Sequence, residues 1–265
     1  YTNRFTVNDY DYTKDGGFNW VENDANVNPE SMFAIKYNEY ANYNEELKGY
    51  ANMYVLYFGI RDDHDQATFP FMRGWGYGPV SPALVREWKM AEPDDPRRDA
   101  SICYVPSELP DYDRAEGWED WVQETDYINK KLTPIGGKAN DGTIKLFSHL
   151  MYDNDAWTVN DKDINCTQDL VLLRYADVLL MRSELYEDAD KGMNEVRQRV
   201  GLPSVSYSLE ALQNERRWEF AFEGLRYNDI RRWGQGGGQS NGYTEEVLSK
   251  QQNEAIYFGG QPDLN

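Results

Sequence analysis

Apolar and polar positions keep a sustained helical period in only one stretch of the chain, residues 169–233. Leu170, Leu173, Ala176, Val178, Leu180, Met181 and Leu185 form an apolar face broad enough to predict a helix buried on more than one side. A second helix is predicted over 192–200, stopped by Gly201 and Pro203. A third begins at Ser208 as N-cap and carries Trp218, Ala221, Phe222 and Leu225 on one face. Three helices with short joints read as stacked helical hairpins.

Before residue 169 the pattern breaks into short pieces. Residues 32–37 read as a strand bounded by Pro29 and a polar run. Residues 50–60 are apolar and aromatic enough to be buried, with a period that fits strand or helix. Ser81 followed by Pro82 marks a helix start; Leu84, Val85 and Trp88 share a face, and Pro93 ends it. Residues 94–99 read as a charged turn, 100–105 and 127–132 as short strands, and 136–142 as turns. Alternating Gly and aromatic residues in Arg73-Gly74-Trp75-Gly76-Tyr77-Gly78 keep the backbone out of regular structure while presenting rings. The chain thus divides into an aromatic, loop-rich region with short strands and a helix near 81–92 (1–168), a helical region (169–233), and a C-terminal loop and tail (234–265).

Composition narrows the function classes. Asp and Glu number 46 against 27 Lys and Arg, a net charge of -19 that repels a phosphate backbone and argues against a nucleic-acid partner. No apolar run reaches the roughly 18 residues a membrane helix needs. Cys103 and Cys166, about 60 residues apart, fit no zinc pattern. They either pair or stay as buried thiols. Asp11, Thr13, Asp15, Gly16 and Glu22 fall at positions 1, 3, 5, 6 and 12 of a calcium loop, although position 3 is Thr and no amphipathic helix precedes it. A structural Ca²⁺ there competes with a solvated acidic loop.

Aromatic residues are unusually abundant, with 20 Tyr and 8 Trp making up most of the 14%. Sugar rings offer weakly polar C–H faces that stack on Trp and Tyr, while their hydroxyls take hydrogen bonds from polar neighbours. Trp75, Tyr77, Tyr112, Trp118, Trp121 and Trp157, all in loops, form the candidate ligand-binding set. Any one of these rings alone reads as packing; the hypothesis rests on the set. Glu219 and Glu223, four apart, invite a glycosidase reading, but two side chains on one helix do not flank a scissile bond. With Arg216 and Arg226 nearby they read instead as a structural ion-pair network. His64 and His149 suggest no triad unaided, so catalysis is not expected.

The run 174–181 (RYADVLLM), Glu215-Arg216-Arg217, Glu219, Phe222-Glu223-Gly224 and Arg226 closely resemble the SusD/RagB family of outer-membrane nutrient-binding lipoproteins. Residues 29–37, the Gly74-Trp75-Gly76 turn, the helix start at Ser81, Asp95-Pro96-Arg97, and Asp126-Tyr127 ahead of Lys130-Lys131 resemble its less regular part. The resemblance implies a mainly α fold of tetratricopeptide-like helix pairs carrying a large loop-rich region. It also implies a cell-surface protein, tethered to the membrane by a lipid anchor, that binds an oligosaccharide or polysaccharide without catalysis and delivers it to a TonB-dependent (SusC-like) transporter. Family members are longer, so this chain resembles their C-terminal portion, with the N-terminal helices missing. A protein-interaction scaffold without sugar binding, and a glycoside hydrolase, are the alternatives.

Overall fold

The structure is a computed structural model and describes residues 30–37, 41–42, 48–49, 52–61, 68–71, 73–112, 125–133, 136–138, 144–146, 169–236 and 239–255. The elements in the first half are β1 (Ser31–Ile35), β2 (Ala41–Asn42), β3 (Lys48–Gly49), α1 (Met53–Phe58), β4 (Ile60–Arg61), β5 (Arg73–Gly74), α2 (Pro82–Ala91), α3 (Pro96–Ser101), β6 (Ile102–Tyr104), α4 (Val105–Glu108), β7 (Tyr127–Asn129), β8 (Gly136–Lys138) and β9 (Ile144–Leu146). The second half contains β10 (Leu170–Arg174), α5 (Tyr175–Tyr186), a π-helical turn (Ala189–Met193), α6 (Asn194–Arg199), α7 (Leu209–Glu219), α8 (Arg226–Trp233), β11 (Gln235–Gly236), β12 (Gln239–Ser240) and α9 (Tyr243–Ala255). The fold is mainly α, and among the described residues the strands form two-stranded pieces only.

Several expectations are corrected by this order. The apolar run after Asp169 does not start as helix: Leu170–Arg174 is strand β10, antiparallel to β1, and the helix begins at Tyr175. Continuous aliphatic side chains suit either element, and the partner strand decides. The charged turn at 94–99 is largely helix α3, because Asp95 caps it by accepting the Arg97 N–H at 3.0 Å and Pro96 occupies its first turn. For residues 50–60, where the period fits either strand or helix, the structure decides: Met53–Phe58 is the short helix α1, and Asn52 accepts the Tyr54 N–H at its start. The third helix stops at Glu219, where Phe222 (φ 67°) and Gly224 (φ 80°) turn the chain before α8. A small hairpin and α9 fall in 234–255, which was read as loop and tail.

Three apolar clusters hold these pieces. Helices α5, α6 and α7 close around Leu180, Met193, Val196, Leu212 and Phe220. Ile60, Phe71, Cys103, Val105, Leu109 and Tyr112 form a second cluster beneath the loops. The third joins Val80 and Ile102 to the Trp88–Trp218 stack (centroids 5.2 Å apart, planes at 15°), which ties α2 to α7. Helix α5 differs from its neighbours in its outer side, where Tyr175, Met181, Leu185 and Tyr186 are all exposed.

The loop 73–78 is fixed to α1 through the backbone. Strand β5 pairs in parallel with β4, and the N–H groups of Trp75, Gly76 and Tyr77 donate to the carbonyls of Leu56, Gly59 and Tyr57 at 2.7, 2.8 and 2.8 Å. Gly74 lies so close to α1 that a Cβ would meet the Gly59 N at 2.8 Å and the Leu56 carbonyl closer still. Gly74→Ala is therefore expected to destabilise the protein by about 1–3 kcal/mol, as overpacking against an immovable backbone does. Urea unfolding monitored by circular dichroism measures this; an unchanged midpoint would show that the contact is not close-packed.

Candidate functional site

Trp75 and Tyr77 meet a third ring that the sequence did not single out, Tyr57 on α1. Tyr57 lies 5.2 Å from Trp75 edge-on and 6.2 Å from Tyr77 in a stacked arrangement, and Trp75 and Tyr77 are 5.9 Å apart. Tyr77 is exposed, and Tyr57 and Trp75 are partly buried, so the cluster presents ring surface while its inner edges are packed. Gly76 and Gly78 both take φ near +70°, a conformation that lets the loop fold back and set the two rings side by side. The signal for Tyr57 was its neighbour Tyr54 three residues earlier, which places two tyrosines on one face of a helix.

The remaining members of the set do not join this cluster. Tyr112 is a core residue, 9% exposed and packed with Ile60 and Phe71, so it is corrected from ligand contact to packing. Trp118, Trp121 and Trp157 lie outside the described residues, as do Asp11, Thr13, Asp15 and Glu22 of the calcium loop and both histidines. Among the described residues, no group of His, Cys, Asp and Glu is arranged to hold a metal ion. Cys103 is a buried free thiol, pushed up to about 12 by burial and then by Glu108 beside it, which makes it unreactive at neutral pH.

The charged residues of the helical region form a dense buried network. Glu219, at the last turn of α7, takes Arg97 Nη1 at 2.9 Å, Arg199 Nη2 at 2.7 and 2.8 Å, and Arg174. Glu223, in the loop after α7 and not on the helix itself, pairs with Lys131 at 2.7 Å and Arg174 at 2.7 Å. Arg97 reaches back to Asp95 and forward to Glu215, which also receives Arg197 at 2.9 Å. Arg174 and Arg216 both pack on the Phe220 ring, at 4.5 and 5.1 Å. Arg216 turns away from Glu219 to Asp177 (2.6 Å) and Asp229 (2.9 Å). Arg226 stands apart, its Nε buried without a hydrogen-bond partner among the described residues. The network is therefore wider than the four residues picked from sequence, with Arg97, Arg174 and Arg199 as its main cations.

Burial pushes the Glu219 carboxyl up, but Arg174, Arg199 and Arg97 outweigh it and hold it well below the usual carboxylate range. Burial likewise raises Glu223 and Asp95, and Lys131 with Arg174 for the first, and Arg97 for the second, bring both below normal. Glu215 goes the other way, because burial outweighs Arg97 and Arg197. No carboxylate here is poised as both a free base and an accessible acid: Glu219 is 2% exposed and saturated with cations.

Comparison with known proteins follows the same lines. The SusD family profile matches residues 3–263 of the 265. The chain belongs to the SusD family. A laminarin-binding SusD-like protein superimposes with a TM-score of 0.63 at 23% identity over 94% of this chain and 48% of its own. Surface glycan-binding protein A from Bacteroides thetaiotaomicron, solved with laminarihexaose, gives 0.58 at 21% over 85% and 51%. Its namesake from Bacteroides fluxus gives 0.57 at 23% over 85% and 46%. The chain spans about half the length of these structures. A search of curated proteins found no match.

Two outcomes follow from the network. Glu219→Gln leaves the buried Arg97 and Arg174 and the partly exposed Arg199 short of a counter-charge and is expected to cost about 3–5 kcal/mol in urea unfolding. The depressed carboxyls of Asp95, Glu219 and Glu223 contribute stability that is complete above the unfolded carboxylate range. That contribution drains as pH falls below about 4 toward their folded values. Glu215, raised, takes up its proton first and offsets the earliest part of the loss. A thermal midpoint that declines steadily from pH 7 to 5 would contradict this order.

Proposed function

We propose that this chain captures glycan on the Tyr57–Trp75–Tyr77 surface, without catalysis, at the bacterial cell surface, and that the bound oligosaccharide passes to a TonB-dependent transporter. The observation that carries this reading is the ring cluster itself: three aromatic side chains in mutual contact, partly open to solvent, on a loop fixed by backbone bonds to α1. Such a surface matches the C–H face of a pyranose, and its rigidity lowers the entropy lost on binding. Membership of the SusD family and likeness to structures described as laminarin-binding or complexed with laminarihexaose support it. Delivery to a transporter and a lipid-anchored place in the outer membrane are the family-level part of the proposal.

A hydrolase reading gains nothing from Glu219 and Glu223, since both are neutralised by arginine and lysine in the interior. The scaffold reading draws on the exposed apolar side of α5, which suits contact with protein more than with sugar.

Tyr77→Ala and Trp75→Ala are expected to abolish measurable binding to gluco-oligosaccharides in calorimetry while shifting Tm by only a few degrees. Retained binding in both variants would sink the ring site. A panel of glycans that stays blank for the unaltered protein would favour the scaffold.

A further inference from the structure

We propose that Asn241 and Gly242 form a self-modifying site, in which the Gly242 main-chain nitrogen attacks the Asn241 carboxamide, ammonia leaves, and the succinimide so formed opens to aspartate or isoaspartate. The site is independent of glycan capture. Asn241-Gly242 is the one Asn-Gly pair in the sequence. It joins β12 to α9, and both residues are exposed, so water reaches the ring once it has closed.

The parts such a reaction needs surround this pair. The Asn241 Oδ1 accepts the Tyr243 N–H at 3.1 Å, and a side-chain oxygen bonded two residues along closes a ring that contains both the Asn241 Cγ and the Gly242 nitrogen. The carboxamide is thereby folded back over the peptide that attacks it. The same N–H polarises the carbonyl and meets the oxyanion of the tetrahedral intermediate, as donors in an oxyanion hole do. The Gly242 N–H donates to Ser240 Oγ at 3.2 Å, and the Ser240 hydroxyl donates to the Glu245 carboxylate at 2.8 and 2.9 Å. An amide nitrogen is a poor nucleophile until it loses its proton, and this line leads the proton to a base. Capping of α9 needs only the bond to Tyr243; the line from Gly242 through Ser240 to Glu245 goes beyond it.

As the bond from Gly242 N to Asn241 Cγ forms, the amide proton passes to Ser240 and the Ser240 proton to Glu245. Collapse of the intermediate breaks the Cγ–Nδ2 bond, and the departing nitrogen recovers through solvent the proton given to Glu245 and leaves as ammonia. Water then opens the ring at Cγ, giving aspartate, or at the Asn241 main-chain carbonyl, giving isoaspartate; nothing is oxidised or reduced. Before reaction, Asn241 Nδ2 donates to the Trp233 carbonyl at 2.8 Å, so either product leaves that carbonyl without its donor. Asn241 bridges the end of α8 and the start of α9, and its conversion removes one of the ties between them. The bond from Thr244 Oγ1 to the Ile230 carbonyl (3.0 Å) and the edge-on Trp233–Tyr243 contact remain.

Peptide mapping of the whole chain after days at neutral pH tests this, with the free peptide of residues 233–250 in the same buffer as an unstructured reference. In the folded chain that segment is expected to gain about one dalton, part of it as isoaspartate detected by enzymatic methyl transfer, at least about tenfold faster than in the free peptide. Ser240→Ala and Glu245→Gln are expected to bring the folded rate down to that of the free peptide, with circular dichroism showing each variant still folded. Asn241→Gln is expected to abolish the mass gain. A folded chain that reacts no faster than the peptide would show that the fold shields Asn241, and the proposal would be wrong. A fast reaction that both Ser240→Ala and Glu245→Gln leave unchanged would remove the proton line, and a mass gain that survives Asn241→Gln would move the reaction to another residue; either result overturns the site as described.

Discussion

Glu219 is the residue on which the base of this fold depends. One carboxylate inside the protein accepts from Arg97 of α3, Arg174 at the end of β10 and Arg199 of α6, so three segments far apart in sequence share one anion. Without it Arg97 and Arg174, both buried, would keep only Asp95 and Glu215, and Glu223 and Glu30, which are shared with other cations, too little charge to offset the hydration they give up. Glu30, which receives Arg199 at 2.5 Å and Arg174 at 3.4 Å, brings the start of β1 into the same arrangement. The short sheet β1–β10 would be marginal as an isolated pair of strands; here Glu30 and Arg174 tie one end and the more exposed Lys36 and Asp169 pair at the other.

The helical part was legible because its signals are local. Ser208 does cap α7, accepting the Ala211 N–H, and Gly201 does end α6, with φ at +79°. Leu180 and Leu212 are in the core where periodicity placed them. What was not legible depends on partners remote in sequence. Leu170–Arg174 became a strand only because β1 lies beside it, and Tyr112 went inward because Ile60 and Phe71 do. The ion pairs had the same character: Arg216 and Glu219 are three apart, yet each chose a partner from another element.

The site itself was half visible. Gly-aromatic alternation singled out the rings of Trp75 and Tyr77, and the structure sets the two in contact. Tyr57 was missed because it lies in a segment whose period fits strand or helix, and a six-residue helix gives its spacing from Tyr54 little weight. The polar base and the aromatic surface are thus separate devices. The Trp88–Trp218 stack, with the Trp88 Nε1–H donating to Asp95, ties α2 to the polar base.

Strand β5 carries the Gly-aromatic loop into place against α1. The loop is fastened at Gly74, Trp75, Gly76 and Tyr77 by main-chain bonds, and the glycine that fits against α1 carries no side chain. Those bonds do not depend on which side chains stand at 75 and 77, although both rings also pack on Tyr57. Exchanging the rings would leave the main-chain fastening in place, so the surface offered there is separable from the frame that carries it.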